Sequence, residues 1–307
     1  MSVTDLYMFD TTGKGARMKF GLQVIHAWSK LPKGEVNVPR FLLELAVEAE
    51  EVGWEAFLLW DHLFFPWVVP MADPWTVLAA ASSMTKRIRL GTTVTPLTRR
   101  KPHVLAKQLA TLDHLSNGRV ILGSGLGGDG KSGDAGRELS AFGEESRYTV
   151  LAKKADEALE VITGLWTGAP FTFKGRHYTV DDVTLQPTPV QRPRIPIWIG
   201  GNSAGALRRA ARYDGWTTGG PCPSAGDPGL TLEEVQERVN KIMRHRKTGE
   251  PFDVSYGFEF PDDGEDMEDL VSRAKSVGVT WMLESIFGLR FNGDQALERV
   301  RQGPPDL

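Results

Sequence analysis

Residues 197–218 read IWIGGNSAGALRRAARYDGWTT, and the order of features within them decides the fold. An apolar run, Ile197–Gly200, stops at a pair of glycines. A helical stretch follows over 203–213, and a second short run begins at Gly215. Runs this short and continuously apolar suit strands buried on both faces, as in a parallel sheet covered by helices. The unit is strand–helix–strand, and the chain repeats it on both sides.

Working outward, strands are expected at 19–24, 56–60, 88–95, 120–124, 197–200, 215–218, 253–258 and 280–285. Helices are expected at 38–52, 74–84, 102–115, 149–166, 203–213, 231–247, 265–277 and 293–302. The first helix shows the logic. Pro39 suits a first turn, Phe41, Leu45, Ala49 and Val52 recur at helical spacing, and Gly53 suits the stop. Eight such units predict an α/β chain folded as a single (β/α)8 barrel. A doubly wound sheet would place Gly-x-Gly-x-x-Gly after its first strand, and Gly21-Leu22-Gln23-Val24 offers none.

Three segments fall outside the repeat. Residues 127–147 hold six glycines and read as a loop after the fourth strand, a candidate lid that is mobile without ligand. FTFKGRHYTV (171–180) predicts a β-hairpin before the fifth strand, and Pro187, Pro189, Pro193 and Pro196 mark an extended crossing. The Gly- and Pro-rich 219–230 is an insertion after the sixth strand. Residues 1–17 read as a flexible tail, leaving 18–307 as one domain.

The composition of the 307 residues is that of a globular protein, 41% apolar and 24% charged. A formal charge of −3 gives no reason to expect a nucleic acid or membrane partner. The single cysteine, Cys222, rules out an internal disulfide and a multi-cysteine metal site, and no metal is expected. With no apolar leader and no long apolar span, the expected location is cytoplasmic.

Barrel chemistry sits at the C-terminal ends of the strands. Those ends carry His26, the adjacent Asp61 and His62, Thr93 and Val94, Gly125 and Gly127, Gly200–Asn202, Glu259 and Glu284. No Gly-x-Ser-x-Gly elbow, phosphate-binding Gly-x-x-x-x-Gly-Lys loop or His-x-His pair occurs. Gly200–Gly205 is either an anion site at a helix start or a tight turn. Trp28, Phe64, Phe65 and Trp67 either wall a pocket for a small-molecule substrate or pack a loop.

The chain resembles the bacterial luciferase-like flavin- and F420-dependent oxidoreductases from about Met18 to Glu284. The stretches that carry the likeness are WDHL (60–63), LGTTVTPL (90–97), ATLDHLSNGRVILGSG (110–125), EVITGLWTG (160–168) and PRIPIWIGG (193–201). The resemblance implies the barrel fold and a flavin-type ring at its mouth, coenzyme F420 or FMN, with a slight lean to F420 from Asp61-His62. It implies hydride transfer to or from a small organic substrate with His62 as acid/base. An FMN-dependent monooxygenase is the alternative, and a noncatalytic flavin-binding protein a second. By the same resemblance a bulge at Thr93-Val94, with a cis peptide, supports the ring, and Asp61 contacts it. Gly125, Gly127 and Gly128 line the cofactor. Gly200, Gly201, Asn202 and Ser203 hold its phosphate, and Ser146 and Arg147 either touch phosphate or cap a helix. His26, Trp28, Phe65, Trp67 and Glu284 border the substrate, and a homodimer is expected. One departure stands out: Gly128 and Asp129 occupy the place where F420-dependent dehydrogenases carry a glutamate.

Overall fold

The computed structural model describes residues 17–306, apart from 29–30, 32–36, 66, 129–136 and 262–263. The expected tail, but for Arg17, and the centre of the expected lid lie outside the described residues.

The strands are β1 (Lys19–Ile25), β2 (Ala56–Leu59), β3 (Arg89–Thr92), β4 (Thr95–Pro96), β5 (Val120–Gly125), β6 (Phe171–Lys174), β7 (Thr179–Val183), β8 (Ile197–Gly200), β9 (Gly215–Gly219), β10 (Asp253–Phe258) and β11 (Trp281–Phe287). The helices are α1 (Val38–Glu51), α2 (Pro74–Met84), α3 (Pro102–Leu115), α4 (Tyr148–Leu165), α5 (Ala204–Ala210), α6 (Leu232–His245), α7 (Gly264–Ser276) and α8 (Gly293–Arg301). Strands β3, β2, β1, β11, β10, β9, β8 and β5 pair in that order, and β5 pairs again with β3, closing an eight-stranded parallel barrel. Strands β6 and β7 form the expected antiparallel hairpin ahead of β8.

Local chemistry explains the helix starts. Asn37 caps α1 by accepting from the Arg40 N–H at 3.2 Å, and Asp73 caps α2 through Thr76 at 2.8 Å. Thr231 with Glu234 and Asn292 with Gln295 form capping boxes on α6 and α8. Between strands and helices lies one apolar core.

The barrel interior is layered, because alternate residues of each strand face inward. Ala56, Leu58, Ile121, Trp198, Trp281 and Leu283 form an apolar plug toward the base. A polar layer follows: Gln23 donates to Ser285 at 2.6 Å, and Thr217 and Ser255 lie 3.0 Å apart. Nearer the mouth the inward positions on β5 and β8 are Gly125 and Gly200. The third barrel strand departs from the expected 88–95. It breaks after Thr92 at a cis Thr93–Val94 peptide and resumes as β4, which pairs with the end of β5.

Candidate active site

The break in the third strand shapes the floor of the mouth. A Cβ built on Gly125 would lie 2.5 Å from Val94 Cγ2, and one on Gly200 would lie 2.9 Å from Val94 Cγ1. Val94, half-buried, therefore spreads across two positions that carry no side chain, and the surface between β5 and β8 stays flat. At the same strand ends Thr93 Oγ1 and Trp60 Nε1 are buried without partners. Such atoms are costly to leave unmet, and a ring bearing polar atoms would satisfy them. A shallow cradle with unpaired polar atoms fits a flat heterocycle.

Beside this floor, Gly201 O accepts from Trp216 Nε1 at 3.0 Å, Asn202 Oδ1 accepts from Thr218 at 3.2 Å, and Ser203 caps α5 through Ala206. The loop adjoins a cavity of about 220 Å³ lined by Asn202, Arg208, Arg238, Lys241 and His245, a basic rim. A larger cavity of about 540 Å³ lies at the opposite end of the barrel, among Arg17, Phe20, Glu55 and Gly303. That base is the stability face of a barrel, so the chemistry belongs at the mouth.

Asp61 and His62 part ways. Asp61 is 2% exposed, and its carboxylate accepts four hydrogen bonds: Arg99 at 2.5 Å, Arg100 at 2.8 and 2.9 Å, and Thr95 at 2.9 Å. Those bonds fill its lone-pair sites. The expected contact between Asp61 and a cofactor is therefore corrected: the side chain is a brace that ties the end of β2 to the start of α3. His62 is half-buried beside it. Its ring lies 5.6 Å from Trp60 and 5.2 Å from Phe65, which lies 5.1 Å from the exposed Trp67. Phe65 and Trp67 therefore form a row of aromatic rings running out from His62.

A residue the sequence reading missed completes this cluster. Glu138 is 4% exposed. Its Oε1 accepts from the Leu63 N–H at 2.5 Å and lies 3.4 Å from His62 Nδ1, off the line of a hydrogen bond. Its Oε2 pairs with Arg99. Burial works to raise this carboxyl, but His62, the Arg99 charge and the Leu63 N–H together hold it below the usual range. No local pattern marks Glu138, which stands in a glycine-rich loop without periodicity. Within the expected lid, Glu138 and Leu139 are buried while residues 140–144 are exposed.

Other expected site residues fall elsewhere. Trp28 is 1% exposed, packs edge-on against Phe41 at 5.2 Å and donates to Phe291 O at 3.0 Å. It belongs to the core and not to the substrate wall. Glu284 alternates with the inward-facing Leu283 and Ser285, so it points outward and pairs with Arg290 and Arg299. That corrects its place in the pocket. His26 is buried, its Nε2 on Ala72 O at 2.9 Å, and burial pushes its pKa down to about 4. Gly127 and Gly128 have positive φ and face Pro96 and the Tyr148 ring, where a Cβ would lie at 2.7 and 2.8 Å. Arg147, not Ser146, stands at the start of α4 without a side-chain cap, and its exposed guanidinium pairs with Glu145 at 2.5 Å.

Known proteins resemble this chain in sequence and in fold. The family model described as luciferase-like monooxygenase matches residues 18–275. A protein of Microbacterium testaceum named F420-dependent glucose-6-phosphate dehydrogenase is 36% identical over 204 residues, 64% of this chain and 56% of that one. One of the same name from Nakamurella multipartita is 37% identical over 214 residues, 67% of this chain and 60% of that one. The chain thus matches somewhat more than half the length of these curated relatives. The crystal structure of monooxygenase RslO1 from Streptomyces bottropensis superposes with a TM-score of 0.69 at 22% identity, covering 92% of this chain and 97% of that one, and so shares the fold. The chain belongs to the luciferase-like monooxygenase family.

Proposed function

We propose that the protein is an oxidoreductase that binds a flavin-type ring at the barrel mouth and moves hydride to or from a small organic substrate. The observation that supports this most is the floor, where Val94 lies across Gly125 and Gly200 beside the unpaired Thr93 and Trp60 atoms. Coenzyme F420 is the first choice of ring and FMN the second, since relatives at 36% and 37% identity are named F420-dependent. Such a ring accepts or returns hydride. His62 takes the proton a substrate hydroxyl gives up as its carbon loses hydride, and returns it in the reverse direction. Gly200, Gly201, Asn202 and Ser203, with the basic rim beside them, hold the anionic part of the cofactor. Gly127 and Gly128 border it, and Phe65 and Trp67 wall the substrate.

An FMN-dependent monooxygenase is the second reading, favoured by the fold shared with a monooxygenase. We further place residues 18–307 in one domain, the chain in the cytoplasm and the assembly as a homodimer. Titration with F420 and with FMN, followed by ligand fluorescence, tests the central proposal. Binding of F420 more tightly than FMN is expected, and binding of neither overturns it. His62→Ala is expected to keep binding and to slow substrate turnover by about 10²–10⁴-fold. Unchanged turnover removes His62 from the chemistry.

A further inference from the structure

Glu138 is a buried carboxylate at the mouth that the ring-binding proposal leaves without a role. The N–H groups of Leu63 and Phe64, the two residues after His62, donate to its Oε1 at 2.5 and 3.3 Å. The same oxygen lies 3.4 Å from His62 Nδ1, while Arg99 holds the other oxygen. The backbone next to His62 thus fixes the carboxylate, and the carboxylate faces one particular ring nitrogen. We infer that Glu138 is a positioning residue for His62, keeping the proton of the neutral imidazole on Nδ1 and leaving Nε2 as the nitrogen that exchanges a proton at the mouth. The inference rests on the proposal that His62 is the exchanging group.

The physical reason lies in what each atom accepts. Glu138 is ionised near neutrality, so its oxygens only accept. A lone pair on Nδ1 would set acceptor against acceptor in a buried place, whereas an N–H there is attracted by the carboxylate 3.4 Å away, even off the hydrogen-bond line. Nδ1 is buried without a hydrogen bond, and the Glu138 carboxylate lies 3.4 Å from it. Nε2 has no hydrogen bond among the described residues, and it is not among the buried unpaired atoms. When Nε2 takes a proton, the new positive charge lies beside Glu138. Asp61 and Arg99 stand behind it with their charges already paired, and the buried His26 lies near enough for the two rings to oppose each other's charge. Glu138 brings a carboxylate to the histidine from the loop after β5.

The test reads the tautomer directly on the full chain, without cofactor. Histidine is labelled with nitrogen-15, the His62 signals are assigned by their loss in His62→Gln, and spectra are taken in alkaline buffer where the ring is neutral. The expected wild-type pattern has the attached proton on Nδ1 and a bare Nε2. In Glu138→Ala the His62 pattern is expected to move toward Nε2–H, with the His26 signals unchanged. A wild-type ring carrying its proton on Nε2 overturns the inference. So does a folded Glu138→Ala protein that keeps the Nδ1–H pattern. If Glu138→Ala does not fold, the wild-type spectrum alone decides. Failure of F420 and FMN to bind would sink the ring-binding proposal and leave this measurement standing, so the two fail separately.

Discussion

Asp61 and Glu284 are both buried carboxylates near strand ends, and each is held by two arginines. Asp61 takes Arg99 and Arg100, and Glu284 takes Arg290 and Arg299. Both sit at positions whose strand neighbours face the barrel interior, so both turn toward the helices. They differ in what is stacked above them. Over Glu284 the arginines lie against aromatic faces, Arg290 on Phe291 at 4.5 Å and Arg299 near Trp54 and Phe260, and Arg290 reaches a second carboxylate, Glu259, at 3.6 Å, with no imidazole paired to it among the described residues. Over Asp61, Arg99 continues to Glu138, and Glu138 continues to His62. One cluster is a strut. The other is a strut with an imidazole mounted on it. The difference arises from a residue in a distant loop and not from the arginine–carboxylate pairing that the two share.

The largest expected effects test whether the struts are alike. Asp61→Ala and Glu284→Ala each remove the carboxylate that two largely buried guanidinium groups share, and removing one partner from a buried pair costs about 3–5 kcal/mol. Urea unfolding should show losses of that size for both. Ligand titration of whatever protein remains folded should separate them. Asp61→Ala is expected to weaken F420 or FMN binding, because Thr95, just after the Thr93–Val94 peptide, loses the carboxylate it donates to at 2.9 Å. Glu284→Ala is expected to leave ligand affinity unchanged. Equal losses of affinity would erase the distinction.

Acid separates the clusters next, through His26 on the Asp61 side. Burial pushes this histidine from 6.5 down to about 4, with the His62 charge adding to the push and Asp61 opposing it. Between those values the unfolded chain binds more protons than the folded one. Stability is then fully present above about 6.5 and falls as pH drops toward 4, by up to about 3 kcal/mol. His26→Asn removes the titrating group, so its unfolding free energy should fall less steeply over the same interval. Parallel pH profiles for the two proteins would show that the histidine does not titrate this way. Glu284 is pushed upward by burial, which its arginines only partly oppose, so it gives no matching loss on the acid side.

These contrasts also show what was legible in the sequence. The barrel could be read because each strand and helix carries its own local signal, such as Pro39 and Gly53 around α1 or the apolar run at 197–200. The Thr93–Val94 bulge and the glycines opposite it could be reached through family resemblance. Orientation could not be read as well. Asp61 next to His62, and Glu284 next to Ser285, look alike in sequence, but a period of two sends neighbours to opposite faces, and a one-residue error reverses the assignment. Glu138 was out of reach for another reason. Its partners, Leu63, Phe64, His62 and Arg99, come from two other strand-end loops, and no local spacing encodes that meeting.

Arg147 gives the smallest expected effect and the finest test of which charges serve the fold and which the ligand. Unlike Arg99 and Arg100 it is exposed, and its partner Glu145 is held down to about 2 by the pairing. The pair therefore adds little to the fold, and Arg147→Ala should leave the unfolding midpoint where it was. The neighbouring Tyr148 ring lies over Gly128, where a Cβ would come within 2.8 Å of it, so Arg147 adjoins in sequence a side chain that faces a glycine expected to line the cofactor. To meet a ligand phosphate, Arg147 must first give up a carboxylate that it already holds well. The net gain from the exchange is then small, a loss of about three- to tenfold in FMN affinity on substitution. Riboflavin has the same ring without the phosphate, and its affinity should not change. Added salt should narrow the FMN difference, since an exposed pair is screened. If riboflavin binding fell as far as FMN binding, Arg147 would be acting on the ring or on the loop, and the phosphate role would pass to Gly200–Ser203 alone.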